Sequence, residues 1–256
     1  MRLVLLQIGT LWWREVIRFL RQRSRVVGTF LQPLVFWLLL GAGLNASFHP
    51  AGAGVDYMQY FYPGIIVLAL LFTAIFSTVG TIEDRQRGFL QGVLAAPVSR
   101  PTVILGQALG GTTLCLFQGA IFLALAPVAG IRTTLAGATI ALIVMGLLSF
   151  ALTNVGLTIA WRIDSTQAFP AITNLILIPL WLLSGAFFPA EGLPAAFKWT
   201  MRLDPLTYPM AALREALYGG GSTRLPNAAF SIGITALLCV LTFLLATRSA
   251  RRGAAW

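Results

Sequence analysis

The sequence is poor in charged residues. Only 10% of its 256 residues are charged, while 57% are hydrophobic, and the mean hydropathy is +0.82. A water-soluble domain with a covered core does not have this balance, so the composition indicates an integral membrane protein.

Cysteine and histidine are also scarce. The two cysteines, Cys115 and Cys239, lie inside apolar runs, and the one histidine, His49, lies in a connecting segment. This pattern argues against a disulfide framework and against a zinc site. We therefore expect the chain to bind no metal and no cofactor of its own.

Acidic residues are absent from the middle of every predicted span. All eight lie near span ends or in connectors: Glu15, Asp56, Glu83, Asp84, Asp164, Glu191, Asp204 and Glu215. Ion-coupled carriers normally place such a group within the membrane, and the sequence offers no buried base to activate Ser184 as a nucleophile. A secondary transporter and an intramembrane enzyme are therefore disfavoured and remain only as alternative functions, and an assembly subunit is a third alternative. We do not expect the chain to be an enzyme.

Six apolar runs are long enough to cross a bilayer, which takes about 20 residues. Backbone groups in lipid must be satisfied within the segment, so an all-α membrane protein is predicted, with one permease domain over residues 1–256. The predicted spans are 26–44, 61–82, 103–126, 135–161, 169–188 and 228–246.

The basic residues predict the orientation. If the N-terminus is cytoplasmic, 13 of the 18 Lys and Arg residues lie on the cytoplasmic side and 5 on the outer side. This asymmetry follows the positive-inside rule and places both termini in the cytoplasm. It also accounts for the net charge of +10 without a nucleic-acid partner.

Residues 1–25 have the pattern of an amphipathic helix at the cytoplasmic membrane surface. Arg14, Arg18 and Arg21 recur at helical spacing on one face. The apolar residues Leu5, Ile8, Trp12, Val16 and Phe19 share the opposite face. Anchoring to anionic lipid and holding of a protein partner both remain open as its role.

The outer connector 189–226 is unusually apolar for a loop that contains several prolines. Irregular backbone at membrane depth is tolerated where protein buries it. We therefore predict a re-entrant segment of one or two short helices between spans five and six.

The cytoplasmic connector 83–101 reads EDRQRGFLQGVLAAPVSRP and concentrates charge in a chain that has little. Leu90, Val93 and Leu94 fall on one side of a predicted short helix, and Pro97 ends it. Such a helix suits a cytoplasmic partner.

Polar side chains inside the spans have two interpretations. They can form hydrogen bonds between helices, or they can line a translocation path. For the second role the candidates are Gln32, Thr73, Ser77 and Asn174.

Two stretches resemble the ABC type-2 transporter permeases. The run from Glu83 to Gln107 is similar to the family's connector in Gly88, Leu90, Leu94, Pro97, Val98, Ser99, Arg100, Leu105 and Gly106. Phe89, Gln91 and Gln107 depart from the family pattern and are similar to the branch that exports drugs and lipo-oligosaccharides. Leu182 to Gly220 resembles the exit of the fifth span and the outer re-entrant segment, and YMQYFYPGI at 57–65 resembles the entry to the second span.

This resemblance implies a permease of the bacterial inner membrane. It would pair with a second copy of itself to form a homodimer, contact membrane lipid, and bind two copies of a cytoplasmic ATPase. ATP and Mg would be bound by the ATPase. An amphipathic drug-like, lipid-linked or glycan substrate would be exported by alternating access. The residues expected at the ATPase-coupling interface are Glu83, Asp84, Arg85, Arg87, Gly88, Leu90, Leu94, Pro97 and Arg100, supported by Arg14, Arg18 and Arg21 of the interface helix.

Overall fold

The computed structural model describes residues 2–45, 56–188, 193–219 and 227–252. Within these ranges the chain is all-helical and no strand occurs. The helices are α1 (Arg2–Arg21), α2 (Arg23–Asn45), α3 (Tyr57–Gln86), α4 (Phe89–Ala95), α5 (Arg100–Leu125), α6 (Leu135–Ala160), α7 (Ala168–Trp181), α8 (Ala195–Leu203), α9 (Thr207–Tyr218) and α10 (Ala228–Arg252).

The predicted number of membrane spans is confirmed over the described ranges. Six helical segments there are long and apolar enough to cross a bilayer: Arg23–Leu44, Tyr57–Gln86, Arg100–Ala129, Leu135–Ala160, Ala168–Ala186 and Ala228–Arg251. Most are a few residues longer than predicted, because the helices continue past the apolar run into charged residues. His49 and Glu191 lie outside the described residues.

Helix α3 is the centre of the bundle. Its 30 residues make a rod of about 45 Å, which is longer than a hydrocarbon core of about 30 Å. It contacts α2, α5, α6, α7 and α9 and is almost entirely buried. The other spans surround it and leave large apolar side chains exposed on α2, α7 and α10.

The alternating direction of the spans creates two ends. The connector end contains residues 83–100, the last residues of α6 and α10, and the α1–α2 junction, and contacts such as Arg25 to Glu83 hold it together. The opposite end contains the start of α3 and helices α8 and α9. At this end Tyr218 of α9 is joined to α3, because its Oη donates to the Gln59 carbonyl at 2.5 Å.

Helix α9 confirms the predicted helical segment between spans five and six. Arg214 of α9 is buried, donates to the Gly185 carbonyl at 3.0 Å and lies 4.2 Å from the centre of the Tyr60 ring. Gly185 closes the π-helical turn Leu182–Ala186 that follows α7, with φ at +83°. The Arg214 guanidinium thus satisfies a carbonyl that this irregular turn leaves outside the helical ladder.

Replacing Gly185 with Ala should destabilise the opposite end of the bundle. A positive φ costs a residue with a Cβ about 1–2 kcal/mol, and the new Cβ would lie 3.3 Å from Met201 Cε. We expect a lower midpoint in thermal unfolding of the purified protein. The control is Gly233→Ala in α10, where a Cβ meets nothing within 4 Å; an equal loss in both variants would contradict the explanation.

Candidate functional site

The connector begins later than the sequence predicts. Glu83, Asp84 and Arg85 belong to the last turns of α3, which continues to Gln86, so the charged start is not part of the short helix. The helix stops where Gly88 adopts φ +75° and α4 begins at Phe89. Arg100 is likewise the first residue of α5.

Helix α1 lies across α5 at a row of small residues. A Cβ added to Gly106 would be 2.7 Å from Leu11 Cβ, and one added to Gly110 would be 2.5 Å from Glu15 Cβ. Trp12 Nε1 also donates to Thr113 Oγ1 at 2.9 Å. Spaced four residues apart, the glycines let the two backbones approach closely, and this contact brings the charged turn of α1 to the end of α3.

Four side chains form a charge cluster at this crossing: Arg14, Glu15, Arg18 and Asp84. Arg14 donates to both carboxylate oxygens of Asp84, each at 2.6 Å. Arg18 donates to Asp84 at 2.7 Å and pairs with Glu15. Two cations face two carboxylates, so the charges balance in a site where Asp84 and Glu15 are buried.

Gly80 makes room for this cluster on α3. The Arg18 guanidinium lies over it and donates to the Gly80 carbonyl at 3.0 Å, while a Cβ here would sit 1.9 Å from Arg18 Nη2. Any larger residue would have to displace the Arg18 head group from Asp84.

Burial changes the titration of the charge cluster. Loss of solvent raises the pKa of Glu15 to about 7, although the Arg18 charge opposes the rise. The hydrogen bonds from Arg14 to Asp84 raise the pKa of Arg14. The charge of Glu15 therefore changes near neutral pH.

Three further arginines attach the connector to neighbouring helices. Arg25 of α2 pairs with Glu83 at 2.6 Å. Arg85 donates to the Ala160 carbonyl at 2.9 Å, at the end of α6, and to Asp164 at 2.8 Å. Arg100 donates to the carbonyls of Ala250 and Arg251, both at 2.7 Å. The arginines Arg85 and Arg100 thus satisfy carbonyls in the last turns of α6 and α10.

Helix α4 has two different faces. Leu90 is only 2% exposed and belongs to an apolar cluster with Leu157 and Trp161 of the α6 end and Ala246 of α10, while Leu94 packs against its edge. The outward side carries the exposed Phe89 and Gly92, and the exposed Arg87 and Pro97 flank the helix. Gln91 and Ala95 are exposed at its edge. Of the nine predicted coupling residues, only Arg87 and Pro97 are fully exposed.

The ion pairs within the chain also determine where the predicted residues of α1 lie. Phe89 is the outward residue closest to the cluster, since the Arg14 guanidinium lies 3.7 Å from the centre of its ring. Arg14 and Arg18 face α3, and Arg21 is exposed. Helix α1 therefore meets the connector directly through the charge cluster.

The four candidates for a translocation path differ in burial and in hydrogen bonding. Thr73 is buried, donates to the Ala69 carbonyl at 2.9 Å and bonds Gln118, so it joins helices. Ser77 donates to its own helix at Ala74. Gln32 and Asn174 are half-buried, and Asn174 Oδ1 has no hydrogen-bond partner among the described residues.

Sequence reasoning missed Glu15, Gly80 and Arg214 as parts of these sites. A clue existed for Glu15, which stands between Arg14 and the helically spaced Arg18 in an otherwise basic segment. Gly80 carried no local signal, and Arg214 was only part of the resemblance at Leu182 to Gly220, because their roles depend on residues 62 and 154 positions away.

The ABC-2 type transporter family matches residues 6–218 of the chain. The chain belongs to this family. The match runs from α1 to the end of α9 and so includes the charge cluster, the connector and helices α8 and α9. The protein is therefore the membrane permease subunit of an ABC transporter.

Relatives over most of the permease have different names. Nodulation protein J of Rhizobium leguminosarum bv. viciae is 25% identical over 231 residues, 90% of this chain and 87% of the relative. The transport permease ycf38 of Pyropia yezoensis is 30% identical over 219 residues, 81% of this chain and 72% of the relative. The daunorubicin resistance ABC transporter permease protein DrrB1 of Streptomyces coeruleorubidus is 22% identical over 212 residues, 81% of this chain and 73% of the relative.

Asp84→Asn should weaken the docking of α1 on the permease. The change leaves Arg14 and Arg18 with only Glu15 to balance them, and removal of one member of a buried ion pair costs about 3 kcal/mol or more. We expect a lower unfolding midpoint and faster proteolysis within α1. Asp56→Asn is the matched control, since Asp56 is exposed and caps no helix through its side chain; equal behaviour of the two variants would refute the role.

Glu15→Gln should flatten the pH dependence of stability. The folded pKa of Glu15 is raised from 4.5 to about 7, so the folded permease binds more protons than the unfolded chain between these values. Its stability therefore falls as pH rises through this window, and the fall is complete above about pH 7. Unfolding midpoints at about pH 5 and pH 8 should differ less in the variant; an unchanged difference would contradict the assignment.

Proposed function

We propose that the permease exports an amphipathic substrate and receives its energy from a separate cytoplasmic ATPase through the outward side of α4. The single observation that carries this proposal is the division of α4 into two faces. Its inner side packs on α6 and α10, whereas its outward side exposes a large aromatic residue, Phe89, at 38%. Aromatic residues and arginine are enriched at protein interfaces, so Phe89 beside the exposed Arg87 favours a docking surface here.

The contacts of the connector describe how a push on α4 would travel. The Arg85 and Arg100 bonds join it to the ends of α6 and α10, and Asp84 joins the end of α3 to α1. A displacement of α4 would therefore move spans two, three, four and six and α1 together.

The ATPase supplies the energy in this proposal. Two copies would bind ATP and Mg, and each would dock on one permease connector. Alternating access then requires that the ATPase contact α4 differently in its ATP-bound and free states, since only differential binding shifts a conformational equilibrium.

A second copy of the permease would cover parts of α2 and α7. These spans expose large apolar side chains, including Leu39 and Leu175, and they carry the half-buried Gln32 and Asn174. The unmatched Asn174 Oδ1 favours a polar partner beyond the chain, because an unmatched polar group is costly in lipid. We infer that the substrate passes along this surface in a homodimer, with Gln32 and Asn174 nearer to it than Thr73.

The connector end would face the cytoplasm of a bacterium and α1 would lie at the inner-membrane surface. Thirteen of the 18 basic residues support this orientation by the positive-inside rule. The exposed apolar surfaces of α2 and α7 favour an amphipathic drug-like, lipid-linked or glycan cargo. One relative is named for daunorubicin resistance.

Arg87→Glu should uncouple the permease without unfolding it. Arg87 is exposed, so reversal of its charge leaves internal packing intact but opposes docking of the ATPase. We expect the ATPase partner, supplied by co-expression, to co-purify at a several-fold lower yield and to lose substrate-stimulated ATP hydrolysis. The unfolding midpoint of the permease should stay the same.

Arg132→Glu is the matched control, because Arg132 is also exposed but lies at the opposite end. It should leave ATPase binding and hydrolysis unchanged. The molar mass of the wild-type complex also tests the expected two permeases and two ATPases. Wild-type co-purification of Arg87→Glu, together with full hydrolysis, would remove α4 from the coupling role.

A further inference from the structure

A cleft of about 630 Å³ lies between α4 and the ends of α3, α5 and α6. Its lining comes from the ends of three spans and from the helix itself: Ile82, Arg85, Gln86, Leu90, Gln91, Leu94, Ala95, Arg100, Trp161 and Asp164. The volume is in the range of ligand pockets, which is roughly 300–1,000 Å³. None of the functions assigned above uses this space.

The cleft is cationic at its polar side. Arg85 and Arg100 contribute two positive charges, and Asp164 contributes one negative charge. The Asp164 side chain is 86% exposed, so solvent weakens its charge more than it weakens that of the better-covered Arg85. The remaining polar lining, Gln86 and Gln91, can donate hydrogen bonds through the side-chain amides.

Trp161 adds an unmatched donor to this wall. The residue is 2% exposed, and its Nε1 has no hydrogen-bond partner among the described residues. A buried indole N–H normally finds an acceptor. Since the arginines already supply donors, the acceptor that suits all three groups is an anionic oxygen.

The other wall of the cleft is apolar. Ile82, Leu90, Leu94 and Ala95 provide it, so a bare inorganic anion would leave most of the lining uncovered. A molecule with a charged head and an apolar part matches both walls. Interfacial tryptophan and basic pockets between spans are also typical of lipid-headgroup sites.

The position of the cleft selects a membrane lipid over a soluble amphiphile. Arg85 is in the last turn of α3 and Arg100 in the first turn of α5. A helix of about 45 Å extends beyond the hydrocarbon core of about 30 Å, which puts these span ends at the level of phospholipid head groups.

We propose that this cleft binds the phosphate of an anionic phospholipid, with Arg85, Arg100 and Trp161 contacting the head group and Leu90 and Leu94 contacting its apolar part. The bound lipid would connect α4 with the ends of α3, α5 and α6. It would thus be a structural ligand of the connector, whether or not α4 docks an ATPase.

Native mass spectrometry of the purified permease tests the site, with phosphatidylglycerol, phosphatidylcholine and inorganic phosphate added separately. We expect retention of phosphatidylglycerol above phosphatidylcholine. Trp161→Phe and Arg100→Gln each remove a hydrogen bond to the charged phosphate. Each change should lower the affinity for phosphatidylglycerol by about tenfold. Arg162→Gln is the matched control, because Arg162 neighbours Trp161 but does not line the cleft.

Trp161→Phe is the deciding variant. The change keeps a six-membered aromatic ring and removes no hydrogen bond among the described residues. The smaller ring should lower the unfolding midpoint only modestly, so the folded variant reports on binding even if Arg100→Gln folds poorly. If inorganic phosphate binds while phosphatidylglycerol does not, and Trp161→Phe lowers the affinity for phosphate, the natural ligand of the cleft is a soluble phosphate compound. Unchanged binding of both phosphatidylglycerol and phosphate in Trp161→Phe would overturn the proposal.

Discussion

The pairing of Asp84 with Arg14 and Arg18 is the interaction on which the connector end depends. One carboxylate at the end of α3 accepts hydrogen bonds from two arginines of α1, and Gly80 and Gly110 leave the space that these side chains need. Desolvated charges are expensive unless they are matched. Here Glu15 and Asp84 match the two guanidinium groups, so α1 has one docking register in which charge and close packing are both satisfied.

The charge concentrated near the connector is mostly used for contacts within the chain. Most of it does not face outward: Glu83, Asp84 and Arg85 bind other parts of the same chain. These bonds fix the end of α3, and Gly88 then turns the backbone so that α4 presents one side to the bundle and the other outward. A rigid mounting of this kind is what a short helix needs if it is to transmit displacement, because seven residues form no stable helix on their own.

The opposite end solves a related problem with different groups. The π-helical turn after α7 leaves carbonyls outside the regular ladder, and the buried Arg214 and Tyr60 both donate to the Gly185 carbonyl. Charged side chains therefore satisfy polar groups at both ends of the helical bundle. Between the ends, hydroxyl and amide groups such as Thr73 and Gln118 join helices without any buried charge.

The sequence by itself determined the class, the six spans and the amphipathic character of α1, because hydrophobic runs and charge asymmetry are local properties of the chain. It also identified the connector through residues close together in sequence, such as Gly88 and Pro97. Only the tertiary structure decided which charges are internal, since Arg14 meets Asp84 across 70 positions. The same holds for Leu90: its spacing predicted an apolar face, but whether that face met the bundle or a partner depended on where α6 and α10 end.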